Sequence, residues 1–206
     1  MVNMVKELYI ARHGETVENV ARVVQGHLDG TLSATGIRQA QELGVGLKDE
    51  GIEFILCGDL GRQKQTAEEI RKYVSVPIEY TSLLRERGGG DLEGKTYQAL
   101  GIVEEGDFER YYREGVEIFK SLEALESVSD RARHVIDRVL GLPQRKILTV
   151  GSGWINNCMV NLLLGEPFVY HDQENGTVHY FKLGNDGKPE VYELSRKNLK
   201  GNKASR

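Results

Sequence analysis

The chain of 206 residues has two cysteines, four prolines and one tryptophan. Cys57 and Cys158 stand far apart with no metal-ligand spacing, so neither a disulfide framework nor a zinc site can be read from them. Both are expected to be small core residues, and no metal or cofactor is called for. No apolar run reaches the roughly 18 residues a membrane helix needs. The opening stretch Met1 to Glu7 also lacks the form of a secretion signal. The expectation is a cytoplasmic protein that does not bind membranes. A formal net charge of −4 argues against a broad nucleic-acid surface.

What is present is an ordinary globular composition, 39% hydrophobic and 28% charged, with length enough for one sizeable core. One domain over residues 1–195 is expected, followed by a basic, solvated tail over 196–206. No repeat or linker interrupts it. Leu8 to Ala11 reads as a buried strand. Ser33 to Gly51 puts Ile37, Ala40, Leu43 and Leu47 on one helical face behind capping residues Ser33 and Thr35. A strand over Ile52 to Leu56, a helix over Arg62 to Tyr73 and a strand over Ile78 to Leu84 follow. After the glycine run Gly88 to Gly90, Tyr97 to Phe119 suggests short helices, and Leu122 to Val139 a long one closed by Pro143. Lys146 to Val150 is a further strand, Trp154 to Leu164 a helix ending at Gly165, and Thr177 to Leu183 and Val191 to Leu194 are two last strands. Alternating strands and helices predict a three-layer α/β/α sandwich with a mostly parallel central sheet.

Arg12-His13-Gly14-Glu15-Thr16 follows the first strand directly, with Asn19 close behind. Parallel sheets bind ligands beyond the carboxyl ends of their strands, so an arginine and a histidine here suggest a phosphate site with its own nucleophile. Imidazole can attack phosphorus and carry the phosphoryl group, while guanidinium offers a planar fork of donors to its oxygens. A phosphate monoester site also needs further positive charge and a proton donor for the departing alkoxide. Arg62 sits just after the second strand. Glu86, in Leu84-Arg85-Glu86-Arg87, ends the third, where partial burial would lift its pKa toward the range of a general acid.

These runs resemble the histidine phosphatase superfamily, which includes the cofactor-dependent phosphoglycerate mutases and many small phosphatases. The resemblance is carried by Leu8 to Asn19, Gln25-Gly26 with Asp29, Leu32-Ser33 with Gly36, Gln39-Ala40, Arg62 with Gln65-Thr66-Ala67, Leu84 to Gly94, Glu126-Ser127, and Ile147 to Gly153. It implies a phosphoglycerate mutase-like fold, His13 as the phosphorylated nucleophile and Glu86 as the acid. It also implies phosphate or substrate contacts from Arg12, Asn19, Gln25, Gly26, Arg62, Ser152 and Gly153. One position departs. Members usually carry a second histidine in a run like Val-Ser-His-Gly, where this chain has Val150-Gly151-Ser152-Gly153. Serine donates one hydrogen bond but brings no imidazolium charge. Losing one preorganised donor to a transition-state oxygen costs about 2.7–4 kcal/mol, so reduced activity is expected.

The leading expectation is a phosphatase acting on a small phosphorylated metabolite. A degenerate phosphatase that binds phospholigands or acts as a partner subunit is the alternative, as is a mutase-like enzyme. A homodimer is compatible with the sequence, which sets no oligomeric state. Trp154, Tyr97, Tyr111, Tyr112 and Phe119 are candidates to line the substrate pocket. The acidic stretch Glu104 to Glu117 reads as a solvated helix face. Gly89 to Thr96 also satisfies the bare Walker A pattern, but Asp91 and Glu93 would put negative charge inside a phosphate cradle.

Overall fold

In strand β1 (Lys6–Arg12), Leu8, Tyr9, Ile10 and Ala11 are all fully buried, as in a central strand covered on both faces. The computed structural model, which describes residues 5–102 and 120–196, places β1 inside a six-stranded sheet of order β3-β2-β4-β1-β5-β6. Strands β2 (Phe54–Gly58), β3 (Ile78–Thr81) and β4 (Lys146–Gly151) run parallel to β1. Strands β5 (Val178–Leu183) and β6 (Pro189–Arg196) close one edge as an antiparallel pair.

Period-2 alternation divides each strand between two helix layers. Leu8, Ile10, Leu56 and Ile147 face α4 (Leu125–Gly141) and α5 (Gly153–Leu164). Tyr9, Ala11, Ile55 and Leu148 face α2 (Ala34–Leu47) and α3 (Gly61–Arg71). A single turn, α1 (Val17–Val20), follows β1. The expected three-layer α/β/α sandwich with a mostly parallel sheet is what the chain adopts.

Several boundaries differ from the sequence reading. Helix α2 is capped by Ser33, whose hydroxyl accepts from the Gly36 N–H at 3.0 Å, but it ends at Leu47. Ile37 points outward, 38% exposed, because the buried face is completed by Gly36 and Gly44 at close backbone approaches. The second strand begins at Phe54, and β3 stops at Thr81, where a 3₁₀ turn, Ser82–Leu84, redirects the chain. Leu122 precedes α4 and packs instead with Leu92 and Ile102 under the pocket loop.

The register β1–β4 sets Arg12 beside Gly151, and β2–β4 sets Cys57 beside Val150. Three chain segments therefore leave the sheet at one edge: Arg12-His13, Asp59 to Arg62, and Ser152-Gly153. Gly14 and Gly36 meet backbone to backbone there. A Cβ on Gly14 would lie 2.4 Å from the Gly36 carbonyl oxygen, so no larger residue fits.

Candidate active site

His13 lies at the bottom of a pocket and is 2% exposed. Its Nδ1 donates to its neighbour's carbonyl, Gly14 O, at 2.8 Å, which leaves Nε2 as the ring nitrogen with a lone pair. That nitrogen accepts from Arg62 Nε at 3.2 Å. Burial first, then the Arg62 and Arg12 charges, hold the ring's pKa well below its ordinary value of 6.5. His13 is thus a neutral imidazole aimed by one hydrogen bond, the form a nucleophile requires.

The Arg62 guanidinium is buried at the N-terminus of α3, and three backbone carbonyls fix it. Nη1 donates to Leu28 O at 2.5 Å and Asp29 O at 3.4 Å, and Nη2 to Gly26 O at 2.9 Å. Gly26 adopts φ +50°, and a Cβ there would strike the Glu93 carboxylate, so this turn requires glycine. Arg12 is anchored through Nη1 to Gln173 O at 2.5 Å, while among the described residues its buried Nε has no partner. Gln173 is wholly buried, donating to Ile10 O at 2.9 Å and accepting from Asn156 Nδ2 at 2.9 Å. Two guanidinium groups thus hold fixed positions before any anion arrives, which is the preorganisation that charge stabilisation needs.

Glu86 projects from the loop after β3. Its Oε1 accepts from the backbone N–H groups of Arg87 and Trp154 at 2.9 Å each, so Oε2 is the oxygen left toward the pocket. The loop itself is gripped from α4. Arg131 donates to Leu83 O at 3.0 Å, Arg85 O at 2.8 Å and Glu86 O at 3.1 Å, and pairs with both carboxylate oxygens of Glu123. Glu123 in turn accepts from the Gly88 N–H at 2.7 Å. Burial opposes the Glu123 charge, yet Arg131 and the Gly88 N–H hold its pKa below the usual carboxylate value.

Arg12, His13, Asn19, Gln25, Gly26, Arg62, Glu86 and Gly153 all line this one pocket. Asn19 also completes a capping box, its Oδ1 accepting from the Thr16 N–H at 3.0 Å, so one side chain both caps α1 and lines the pocket. Ser152 is placed differently. It is wholly buried, its hydroxyl accepts from Gln63 Nε2 at 3.0 Å, and only its neighbour Gly153 reaches the lining. Trp154 and Tyr97 line the pocket, whereas Tyr111, Tyr112, Phe119 and the acidic stretch lie outside the described residues. Arg87 and Tyr170 also line it, and sequence reasoning missed both. Arg87 could have been noticed as the residue directly after Glu86. Tyr170 has no local signal, since a long return loop from α5 brings it in.

The Walker-like run Gly89 to Thr96 forms no phosphate cradle. Glu93 Oε1 itself takes the Gly89 and His27 N–H groups at 2.9 and 2.8 Å, and only a short 3₁₀ turn, Gln98–Leu100, follows Thr96, where a P-loop would begin a helix.

Residues 8–193 match the family model of the histidine phosphatase superfamily, branch 1, and the chain belongs to that superfamily. The Salmonella paratyphi A protein named "Probable phosphoglycerate mutase GpmB" is 37% identical over 164 residues, which are 78% of this chain and 76% of that one. The fold is shared with a mycobacterial glucosyl-3-phosphoglycerate phosphatase solved with VO3, at TM-score 0.80 and 22% identity over 94% of this chain and 99% of that one. It is shared too with a phosphoglycerate mutase from Bacillus anthracis, at TM-score 0.77 and 24% identity, covering 96% and 95%. Relatives and structural neighbours thus include both phosphatases and mutases. No helix among the described residues is long and apolar enough to cross a membrane.

Proposed function

We propose that the chain hydrolyses a small phosphate monoester through a phosphohistidine on His13. The observation that carries this reading is the hydrogen bond from His13 Nδ1 to Gly14 O, which turns a neutral Nε2 toward the arginines of the pocket. In the first step the Nε2 lone pair attacks phosphorus as the phosphorus–oxygen bond to the organic group breaks. Glu86 gives the departing oxygen its proton. Arg12 and Arg62 stabilise the charge spread over the non-bridging oxygens, and Arg62 must shift its Nε–H from His13 to one of them. In the second step Glu86, now a carboxylate, takes a proton from water as that water attacks phosphorus. The nitrogen–phosphorus bond breaks, releasing inorganic phosphate. The test compares the purified chain with His13→Ala on p-nitrophenyl phosphate. Turnover is expected to fall to background in the variant, and equal turnover would refute the mechanism.

The burial of Ser152 favours a second reading, in which the pocket binds phospholigands without efficient turnover. Ser152→His separates the two. A large gain in turnover marks a pocket short of one donor, while retained phosphate affinity with continued inactivity marks a binding protein. Phosphoryl exchange between glycerate isomers would instead favour the mutase activity named for the relatives.

A further inference from the structure

Helix α5 carries three buried asparagines, Asn156, Asn157 and Asn161, on a helix otherwise packed into the core. Burying an amide is costly unless it is hydrogen-bonded, so their partners indicate what they serve. All three hold the return loop. Asn161 Oδ1 accepts from the Val169 N–H and its Nδ2 donates to Val169 O, both at 2.9 Å. Asn157 Oδ1 accepts from the His171 N–H at 2.5 Å, and Asn156 Nδ2 donates to Gln173 Oε1. The residue pinned on both sides by this arrangement is Tyr170.

Its ring lies against Trp154, centroids 5.3 Å apart, and Trp154 is itself stacked on Phe168 at 5.4 Å. The outer edge of Tyr170 is exposed, but its hydroxyl end turns inward. A Cβ placed on Gly153 would be 3.7 Å from each of the Tyr170 hydroxyl oxygen, the Arg12 guanidinium carbon and Glu86 Oε2. Phenol, guanidinium and carboxylate therefore converge on one small space above Gly153. Ser152, directly beneath, sends its hydroxyl to Gln63 and adds no side chain to the lining. Among the described residues the Tyr170 hydroxyl has no hydrogen-bond partner, although the backbone on either side of it is held by three. Burial first, with Glu86 adding and Arg12 opposing, keeps the phenol's pKa above its ordinary value, so it remains protonated and able to donate.

We infer that Tyr170 is a catalytic residue whose hydroxyl donates a hydrogen bond to a non-bridging oxygen of the phosphoryl group during its transfer to His13. This rests on the phosphohistidine reading above. It also gives the buried asparagines a purpose: they are positioning residues that hold the donor at a fixed point, which is what makes a donor effective in a transition state.

Tyr170→Phe removes the hydroxyl and keeps the ring against Trp154. Rapid-quench measurement of phosphohistidine formation from p-nitrophenyl phosphate should show a loss of roughly 10- to 100-fold, in kcat more than in KM. The urea unfolding midpoint should be unchanged, since the hydroxyl bonds to none of the described residues. A Tyr170→Phe variant within twofold of wild type, while His13→Ala is inactive, overturns this inference and leaves the phosphatase reading standing. Absence of any His13-dependent turnover removes both.

Discussion

Arg62 Nε donates to His13 Nε2 at 3.2 Å, so the positive charge proposed to grip the substrate also caps the proposed nucleophile. Two consequences oppose each other. The bond occupies the lone pair that must attack, and the charge keeps that lone pair from being lost to a proton. An imidazole beside a guanidinium, buried, resists protonation well below pH 6.5. The prediction concerns the pH dependence of kcat/KM for p-nitrophenyl phosphate, whose leaving group needs little protonation. The acid limb controlled by His13 should have its midpoint clearly below 6.5, and Arg62→Gln should move it upward while lowering the rate. A wild-type midpoint at or above 6.5 would show that His13 is not the buried neutral base described here.

Glu86 is predicted to matter in proportion to how poor the leaving group is. Glu86→Gln should slow phosphohistidine formation from an alkyl phosphate by about 10²- to 10⁴-fold, the usual range for a general acid, and from p-nitrophenyl phosphate much less. Arg131→Lys should show the same pattern more weakly. Lysine keeps the charge but cannot span Leu83 O, Arg85 O, Glu86 O and the Glu123 carboxylate with one planar fork. Equal losses on both esters would show that Glu86 binds substrate rather than protonating the product.

A second buried histidine yields a prediction about stability. His179 in β5 is wholly buried, and its Nδ1 accepts from the Ser195 N–H at 2.9 Å. Burial, with a contribution from His171, lowers its pKa to about 4. In the unfolded chain the ring takes a proton near pH 6.5, but in the fold only near 4, so between these values the unfolded state binds more protons. Stability should therefore fall as the pH drops through that window, by up to about 3 kcal/mol from this group, and level off below it. Urea unfolding from pH 7.5 to 4.5 checks this. His179→Gln, which retains an acceptor for Ser195, should flatten the acid loss, and an unchanged slope would place the titration elsewhere.

The parts of the site that were legible in the sequence are those fixed by local chain geometry. Arg12 ends a strand whose apolar run is readable, His13, Arg62 and Glu86 come after such strands, and parallel strands deliver their ends to one edge. Element boundaries were less legible because tertiary contacts override periodicity: Ile37 has the spacing of a core residue, yet close backbone approaches at Gly36 and Gly44 bury the helix without it. Tyr170 and Arg131 were not legible at all. Their relation to Glu86 and Arg12 depends on a return loop and a helix crossing, neither of which leaves a mark in the local pattern. Ser152 shows a related limit, since its place in the run Val150 to Gly153 is legible but not the turn of its hydroxyl toward Gln63.

Gly153 offers a way to test the pocket without touching any of its functional groups. It opens α5, and its φ is not in the left-handed region, so alanine is conformationally acceptable there and an added methyl meets its neighbours at ordinary contact distance, 3.7 Å. Gly153→Ala should consequently fold with no loss of stability. The methyl would nonetheless occupy the space among Arg12, Glu86 and Tyr170 that we propose for a phosphoryl oxygen. Inorganic phosphate affinity, measured by calorimetry, is expected to fall about tenfold or more, and turnover with it, while the unfolding midpoint holds or rises. If phosphate binds Gly153→Ala as tightly as wild type, the anion does not lie above the α5 N-terminus. The roles assigned to Arg12 and Tyr170 would then have to be transferred to the other side of the pocket, around Arg62, Gly26 and Asn19.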